Sequence, residues 1–305
     1  MATPTPCADP FPSGLVTLAL DAPQQAISTP PLPDNFRSMQ SLKIAGNTAS
    51  GSAQYSLLQL QGISQQIGTN TPLTIVDLRQ ESHGFLTIAP PLYGETQIAV
   101  GWFVERDWAN VDKGLPSINL DEFTKLRTAS LAIAPIVYQI TLKTPNEDGI
   151  CTANPNLVRP KGFNTEQQLV QSLGHRYLRL PTTDHCRPRD HEVDQFIAFE
   201  QGLAAGTWLH FHCRAGDGRT TTFMVMHDIF NNALDSQLQD ILTRQGPKKD
   251  GGIGGVDLST ASTNEKDFDY PFSQNRVQFI SLFYTYVQQQ KANGFTTTWS
   301  DWLSS

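Results

Sequence analysis

A chain of 305 residues, 39% hydrophobic and 17% charged, can bury a sizeable core as one large domain or two small ones. Its formal net charge of −7 argues against a nucleic-acid binder, whose surface is usually basic, but leaves room for a polyanionic small molecule in a cleft of local positive potential. The longest apolar, charge-free run, Thr128 to Leu142, is shorter than the roughly 20 residues a membrane helix needs, and it contains Pro135.

In chain order, residues 1–34 read as an extended, Pro-rich N-terminal arm with no Lys or Arg in its first 33 residues. It lacks the basic start and apolar run of a secretory signal. Residues 35–305 read as the main domain. Alternation and β-branched content predict strands at Leu73 to Leu78, Thr96 to Val104 and Leu131 to Ile140. Thr165 with Gln168 forms a capping box that opens a helix to Leu173, stopped by Gly174. A strand at Tyr177 to Leu180 is followed by a helix over Asp190 to Leu203, then a strand at Thr207 to His212. Helices follow at Thr220 to Phe230, Gln237 to Arg244 and Ser273 to Lys291. Between the last two lies the Gly/Lys-rich segment Gly246 to Gly255, which reads as a mobile surface loop. A second reading has it close over a site, with Lys248 or Lys249 touching a distal phosphate. There are no internal repeats.

The run His210-Phe211-His212-Cys213-Arg214-Ala215-Gly216-Asp217-Gly218-Arg219-Thr220 carries the chemistry. Taken alone, Cys213 reads as an inert buried thiol. Set between a strand and a helix, with Arg219 six positions on, it reads differently. Arg214, Ala215, Gly216, Asp217 and Gly218 can curl so that their backbone N–H groups face one centre, and the two glycines permit the angles such a nest needs. The helix adds its positive end at the same point. Both effects favour an anion in the cradle and a thiolate at Cys213. Arg219 can grip two phosphate oxygens with its planar fork. Thr220 can donate to the sulfur, and His212 can brace the loop.

A thiolate that attacks phosphorus needs a general acid for the leaving oxygen. Asp184, in Thr182-Thr183-Asp184-His185, lies after a predicted strand and before a predicted helix, at the end of a sheet where ligands bind in open α/β folds. Asp190 and Asp194 are rivals, but both fall on the helix.

The ordered stretches Asn35-Phe36-Arg37, Val76 to Gly84, Glu105 to Asn110, Thr165 to Gln168, Thr183-Asp184-His185 and Trp208 to Cys213 resemble the tyrosine-phosphatase-like inositol polyphosphatases, the cysteine phytases of bacteria. The resemblance runs from Asn35 to Trp302. It implies an α/β fold with a central sheet flanked by helices and a small inserted β-barrel at about residues 85–140. It also implies stepwise dephosphorylation of inositol polyphosphates without metal or cofactor. On that resemblance Cys213 is the nucleophile, Arg219 the phosphate clamp and Asp184 the acid. His185, Arg37 and Arg276 contact neighbouring phosphates, and Asp77 lies at the pocket wall. Two positions depart from the family pattern, Arg214 and Asp217, and they are expected to pair across the loop rim. The alternatives with the same loop are a protein phosphotyrosine or dual-specificity phosphatase, a phosphoinositide phosphatase, and a catalytically silent phosphate-binding module. A monomer acting on a small-molecule polyphosphate, with no nucleic-acid or membrane partner, is expected, and family analogy favours export. Cys7, Cys151 and Cys186 leave at most one disulfide, its pairing open, and the lack of a CxxC pair speaks against zinc.

Overall fold

The computed structural model describes residues 17–22, 31–42, 48–92, 95–102, 127–128, 131, 136–140, 153–265 and 270–305. Val104, the Glu105 to Asn110 stretch, Cys7 and Cys151 lie outside them. In chain order the described strands are β1 (Thr17–Leu20), β2 (Arg37–Ser38), β3 (Ala49–Ser52), β4 (Leu73–Arg79), β5 (His83–Leu92), β6 (Glu95–Trp102), β7 (Ile136–Ile140), β8 (Ala153–Leu157), β9 (Pro160–Asn164), β10 (Arg176–Thr182) and β11 (Trp208–His212). They form two compact units, one of Met1–Asp34, Gln54–Asn70 and Gln80–Tyr177, the other of Asn35–Ala53, Thr71–Arg79 and Leu178–Ser305.

The first unit is built on a six-stranded sheet in the order β8-β7-β1-β6-β5-β9. Its pairings are antiparallel except β1 with β7. Leu18 and Leu20, Leu86 and Ile88, and Ile98 and Val100 each sit two residues apart, so each pair shares a face, and together they build this unit's core. From the N-terminal arm, expected to be extended and partly ordered against the body, Thr17–Leu20 is a strand within this sheet. The expected small barrel at about 85–140 is, among the described residues, a sheet that also draws strands from either side of that range and has β8 and β9 at its ends. Leu131, read as the start of a strand, is helical, and β7 begins at Ile136.

Helix α1 (Leu57–Ile67) opens on a capping box of Ser56 and Gln59, and α2 (Glu166–Ser172) on that of Thr165 and Gln168. The buried Glu166 carboxylate ties three segments of this unit together. It accepts from the Tyr55 hydroxyl, from Gln54 Nε2 at 3.3 Å and from His83 Nε2 at 3.0 Å.

The second unit carries a five-stranded sheet in the order β10-β4-β11-β3-β2. Central β11 is parallel to both neighbours, with His212 opposite Asp77 on one side and Ser52 on the other. All five of its residues are buried, as a strand covered on both faces requires. The helices are α3 (Asp190–Gln201), α4 (Gly218–Asn232), α5 (Leu238–Gln245), α6 (Tyr270–Gln290) and α7 (Trp299–Leu303). Phe196, Phe211 and Phe223 pack together, as do Phe279, Phe283, Tyr286 and Trp299. Helix α4 is buried nearly all round, so its polar groups must be paired internally. His227 Nδ1 lies 2.6 Å from Glu200, and Asp228 accepts from Arg244, Gln245 and Asn232.

A chain of polar groups crosses from β11 to β3. Trp208 Nε1 donates to Ser50 Oγ at 2.8 Å. Ser50 Oγ lies 2.9 Å from His210 Nδ1, and His210 Nε2 lies 3.0 Å from Ser52 Oγ. Ser52 in turn donates to the Ala53 carbonyl at 2.7 Å. All these side chains are buried. Ser50→Ala strands an indole N–H and an imidazole nitrogen, and should cost about 1–3 kcal/mol, read as a lower urea midpoint at unchanged slope.

Candidate active site

Strand β11 ends at His212, and the chain then turns through Cys213 to Asp217 before α4 begins at Gly218. The turn is possible because Gly216 takes φ +78° and lies hard against the end of β3. A β-carbon there would stand 2.3 Å from Ala53 N and 2.5 Å from Ser52 C. The thiol of Cys213 is 2% exposed and accepts from Gly216 N at 3.2 Å and from Thr220 Oγ1 at 3.1 Å. Behind the loop, His212 Nε2 is 3.9 Å from Asp77 Oδ1.

Arg219, in the first turn of α4, is buried. Its Nη1 donates to Thr182 O at 3.3 Å and its Nε lies 3.1 Å from Asp184 Oδ1. The Asp184 carboxylate thus faces the arginine that closes the Cys213 to Arg219 loop. Asp184 sits in a turn after β10, closed by Cys186 N donating to Thr183 O at 3.1 Å. His185 adopts φ +62° and places Nε2 3.2 Å from Asp184 Oδ2. The rival carboxylates are engaged elsewhere. Asp190 accepts from Trp299 Nε1 and Arg187, and Asp194 from Trp299 N and Ser300.

Arg37 and Asn35 come to the loop from the edge strand and the turn before it. Arg37 was read as a ligand reaching to a substrate phosphate. Its guanidinium instead lies buried against the loop, with Nη1 on Gly216 O at 2.7 Å and Nη2 on Thr221 Oγ1 at 2.9 Å. Burial pushes its pKa down to about 10, against the opposing pull of Cys213 and Asp217. Asn35 Nδ2 donates to Ala215 O at 2.8 Å and to Asp217 Oδ1 at 3.1 Å. The roles of Asn35 and Thr221 escaped the sequence reading. The Asn35-Phe36-Arg37 triplet and the threonine run after Arg219 were the available signals.

Asp77, expected at the pocket wall, is fully buried on β4. Its oxygens take Arg79 N at 2.8 Å and stand 3.4 Å from Arg179 Nε. Arg276 on α6 packs its guanidinium against Gly218 at the start of α4. Arg214, Ala215 and Gly218 are half-buried, and Asp217 is exposed at the rim. Cys186 is a second free thiol, and burial together with Asp184 pushes it up to about 11, with Arg276, Arg189 and Arg219 opposing.

A parallel strand that hands its last residue to a Cys-x5-Arg loop, with a carboxylate facing the arginine, is the phosphate-binding architecture of the cysteine-dependent phosphatases. A family model for PTP-like phytases, described by inositol hexakisphosphate, matches residues 134–231. A PTP-like phytase structure from Bdellovibrio bacteriovorus superposes with a TM-score of 0.68 and 32% identity, covering 97% of each chain. The PTP-like myo-inositol phosphatase of Mitsuokella multacida, solved in complex with myo-inositol-(1,3,4,5)-tetrakisphosphate, gives a TM-score of 0.74 at 30% identity over 97% of this chain and 50% of that one. The effector protein hopD2 of Pseudomonas syringae pv. tomato is 28% identical over 280 residues, 90% of this chain and 54% of the effector. The chain therefore spans about half the length of that effector and of the Mitsuokella protein. It belongs to the PTP-like phytase family.

Gly216→Ala must leave the left-handed region and push on the backbone of β3. It should cost at least about 2 kcal/mol in a urea titration. Glu192, at the third position of α3, accepts its box contact from Arg189 N at 2.7 Å, and burial pushes its carboxyl up to about 7. A raised carboxyl favours the folded state fully below its unfolded value of about 4.5, and that contribution is lost as pH rises through about 7. Relative to Glu192→Gln, the parent chain should lose melting temperature between about pH 5 and pH 8.

Proposed function

We propose that this chain hydrolyses phosphate monoesters through a phosphocysteine intermediate, and that its substrate is an inositol polyphosphate. The observation that carries the reaction is the pairing of a doubly hydrogen-bonded Cys213 sulfur with Asp184 held 3.1 Å from Arg219. In the first step the Cys213 sulfur bonds to phosphorus in line, the bond from phosphorus to the ester oxygen breaks, and Asp184 gives that oxygen its proton. Arg219 and the loop amides hold the three equatorial oxygens. Asp184 and Arg219 pair in this structure. A phosphate dianion replaces the carboxylate on the guanidinium and disfavours charge on Asp184, so the proton arrives with the substrate. In the second step water attacks phosphorus, Asp184 takes the water's proton, and the sulfur leaves, eased by the Thr220 hydroxyl.

In this reading Arg37 and Asn35 position the loop rather than bind substrate, Asp77 steadies His212, and Arg214, His185 and Arg276 face neighbouring phosphates. The inositol phosphate bound by the Mitsuokella relative supports the substrate class. Phosphate release from myo-inositol hexakisphosphate and from a phosphotyrosine peptide, measured side by side, tests it. Fast release from the inositol substrate is expected, and a preference for the peptide overturns the assignment. Cys213→Ser should fall at least about a thousandfold in kcat. Asp184→Asn should lose about 10²–10⁴-fold on the inositol ester and much less on p-nitrophenyl phosphate, whose leaving group needs no proton.

A further inference from the structure

The two carboxylates set aside as rivals of Asp184 have a task of their own. Asp190 and Asp194 lie on α3, the helix that follows the acid turn, and both hold the last helix, α7, against it. Asp190 Oδ1 accepts from Trp299 Nε1 at 2.9 Å, and Asp194 Oδ1 accepts from Trp299 N at 2.7 Å. Trp299 is fully buried and stands edge-on to Phe279 of α6, with the ring centroids 5.5 Å apart.

Arg187, three residues after Asp184, joins the acid turn to this assembly. Its Nη1 donates to Asp190 Oδ1 and to Pro188 O, each at 2.8 Å, and its guanidinium carbon stands 5.6 Å from the centre of the Phe279 ring. One oxygen of Asp190 therefore takes a bond from the turn and another from α7. Burial would raise the Asp190 carboxyl, but the bonds from Trp299 and Arg187 outweigh it and hold the group below its ordinary value, so the anion persists. Two residues further on, Arg189 N donates to Glu192 Oε2 at 2.7 Å.

The turn needs such a hold. Its entry is fixed on the catalytic side, where Thr182 O accepts from Arg219 Nη1 at 3.3 Å. Between entry and exit His185 takes φ +62°, a left-handed conformation that a residue other than glycine keeps only where its surroundings impose it. Asp184 is thus aimed from two ends, one tied to Arg219 and the other tied through Arg187 to α3, α6 and α7. The Arg187 and Asp190 side chains are 27% and 43% exposed, so their pairing adds little to global stability, and its effect falls on the geometry of the turn.

We infer that Arg187 is a positioning residue for the general acid: clamped by Asp190 and laid over Phe279, it holds the turn so that Asp184 meets the leaving oxygen. This rests on the proposed role of Asp184 and extends it to a residue that acts through Asp184. A displacement of about 1 Å is enough to cost a proton transfer about 10–100-fold.

Arg187→Met keeps a long side chain over Phe279 and removes the charge. The readout is kcat/KM, which reports formation of the phosphocysteine, for phenyl phosphate against p-nitrophenyl phosphate. Phenolate leaves poorly and needs the proton of Asp184, whereas p-nitrophenolate does not. The variant should lose about tenfold or more on phenyl phosphate and stay within about twofold on p-nitrophenyl phosphate. Arg187→Lys should restore most of the loss, and Asp190→Asn, which still accepts from Trp299, should shift the ratio in the same direction as Arg187→Met. Added to Asp184→Asn, Arg187→Met should change neither ester by more than about twofold, because no acid is left to aim. Equal losses on both esters, or a further loss in the Asp184→Asn background, make Arg187 a general support of the fold and overturn the inference. An unchanged ratio of the two esters with a raised KM for myo-inositol hexakisphosphate makes it a substrate contact and overturns the inference too. Failure of the underlying chemistry looks different: a parent chain that turns over neither ester, or Asp184→Asn with the parent's ratio, removes the acid itself and the positioning with it.

Discussion

A short loop that turns its amide N–H groups toward one centre must turn its carbonyls away from it. Those carbonyls are then pressed into protein, where each needs a donor. Everything around Cys213 answers that constraint. Asn35 donates to Ala215 O, and Arg37 donates to Gly216 O. Strand β3 presses so close beneath Gly216 that only a residue without a side chain fits. The strand, the edge turn and α4 are all needed to hold five residues in an anion-binding curl, which is why a small motif requires so large a scaffold.

The same constraint fixes the electrostatics. Arg37, Arg219 and Arg276 are each less than a tenth exposed, within a chain whose net charge is −7. Arginine tolerates this where lysine would shed its proton, because its guanidinium is weakly hydrated and donates along several directions. Even so, burial draws Arg37 down to about 10, and the thiol and Asp217 are what oppose that fall. Three buried arginines are thus gathered around one loop of a chain whose net charge is negative.

Much of the site was legible in the sequence, because a Cys-x5-Arg loop between strand and helix has few other uses. The helices over Glu166–Ser172, Asp190–Gln201 and Tyr270–Gln290 followed from caps and period. Strand β3 was not legible. Ala49-Ser50-Gly51-Ser52 has no β-branched alternation, and it is a strand because small residues let Met224 and Thr220 of α4 approach Gly51 closely. Helix α1 carries the same Ser/Thr-x-x-Gln box as α2 but lay in a stretch read without it. Arg37 and Asp77 were legible as charges near the site, but their contacts with Gly216 O, Thr221, Arg79 N and Arg179 were not. Residue type announces a charge, whereas only the fold says whether that charge faces a ligand or a backbone carbonyl.

The polar chain from Trp208 to Ala53 has a direction built into it. Its first member, an indole N–H, can only donate, and its last, a carbonyl oxygen, can only accept. Between them Ser50 must give its proton to His210 Nδ1, and His210 must give its own from Nε2 to Ser52. The ring is thereby held as one neutral tautomer, stacked on Phe36 with 15° between the planes. Reversing any one of these bonds would set two donors or two acceptors against each other, so the chain joins β11 to β3 with a single polarity.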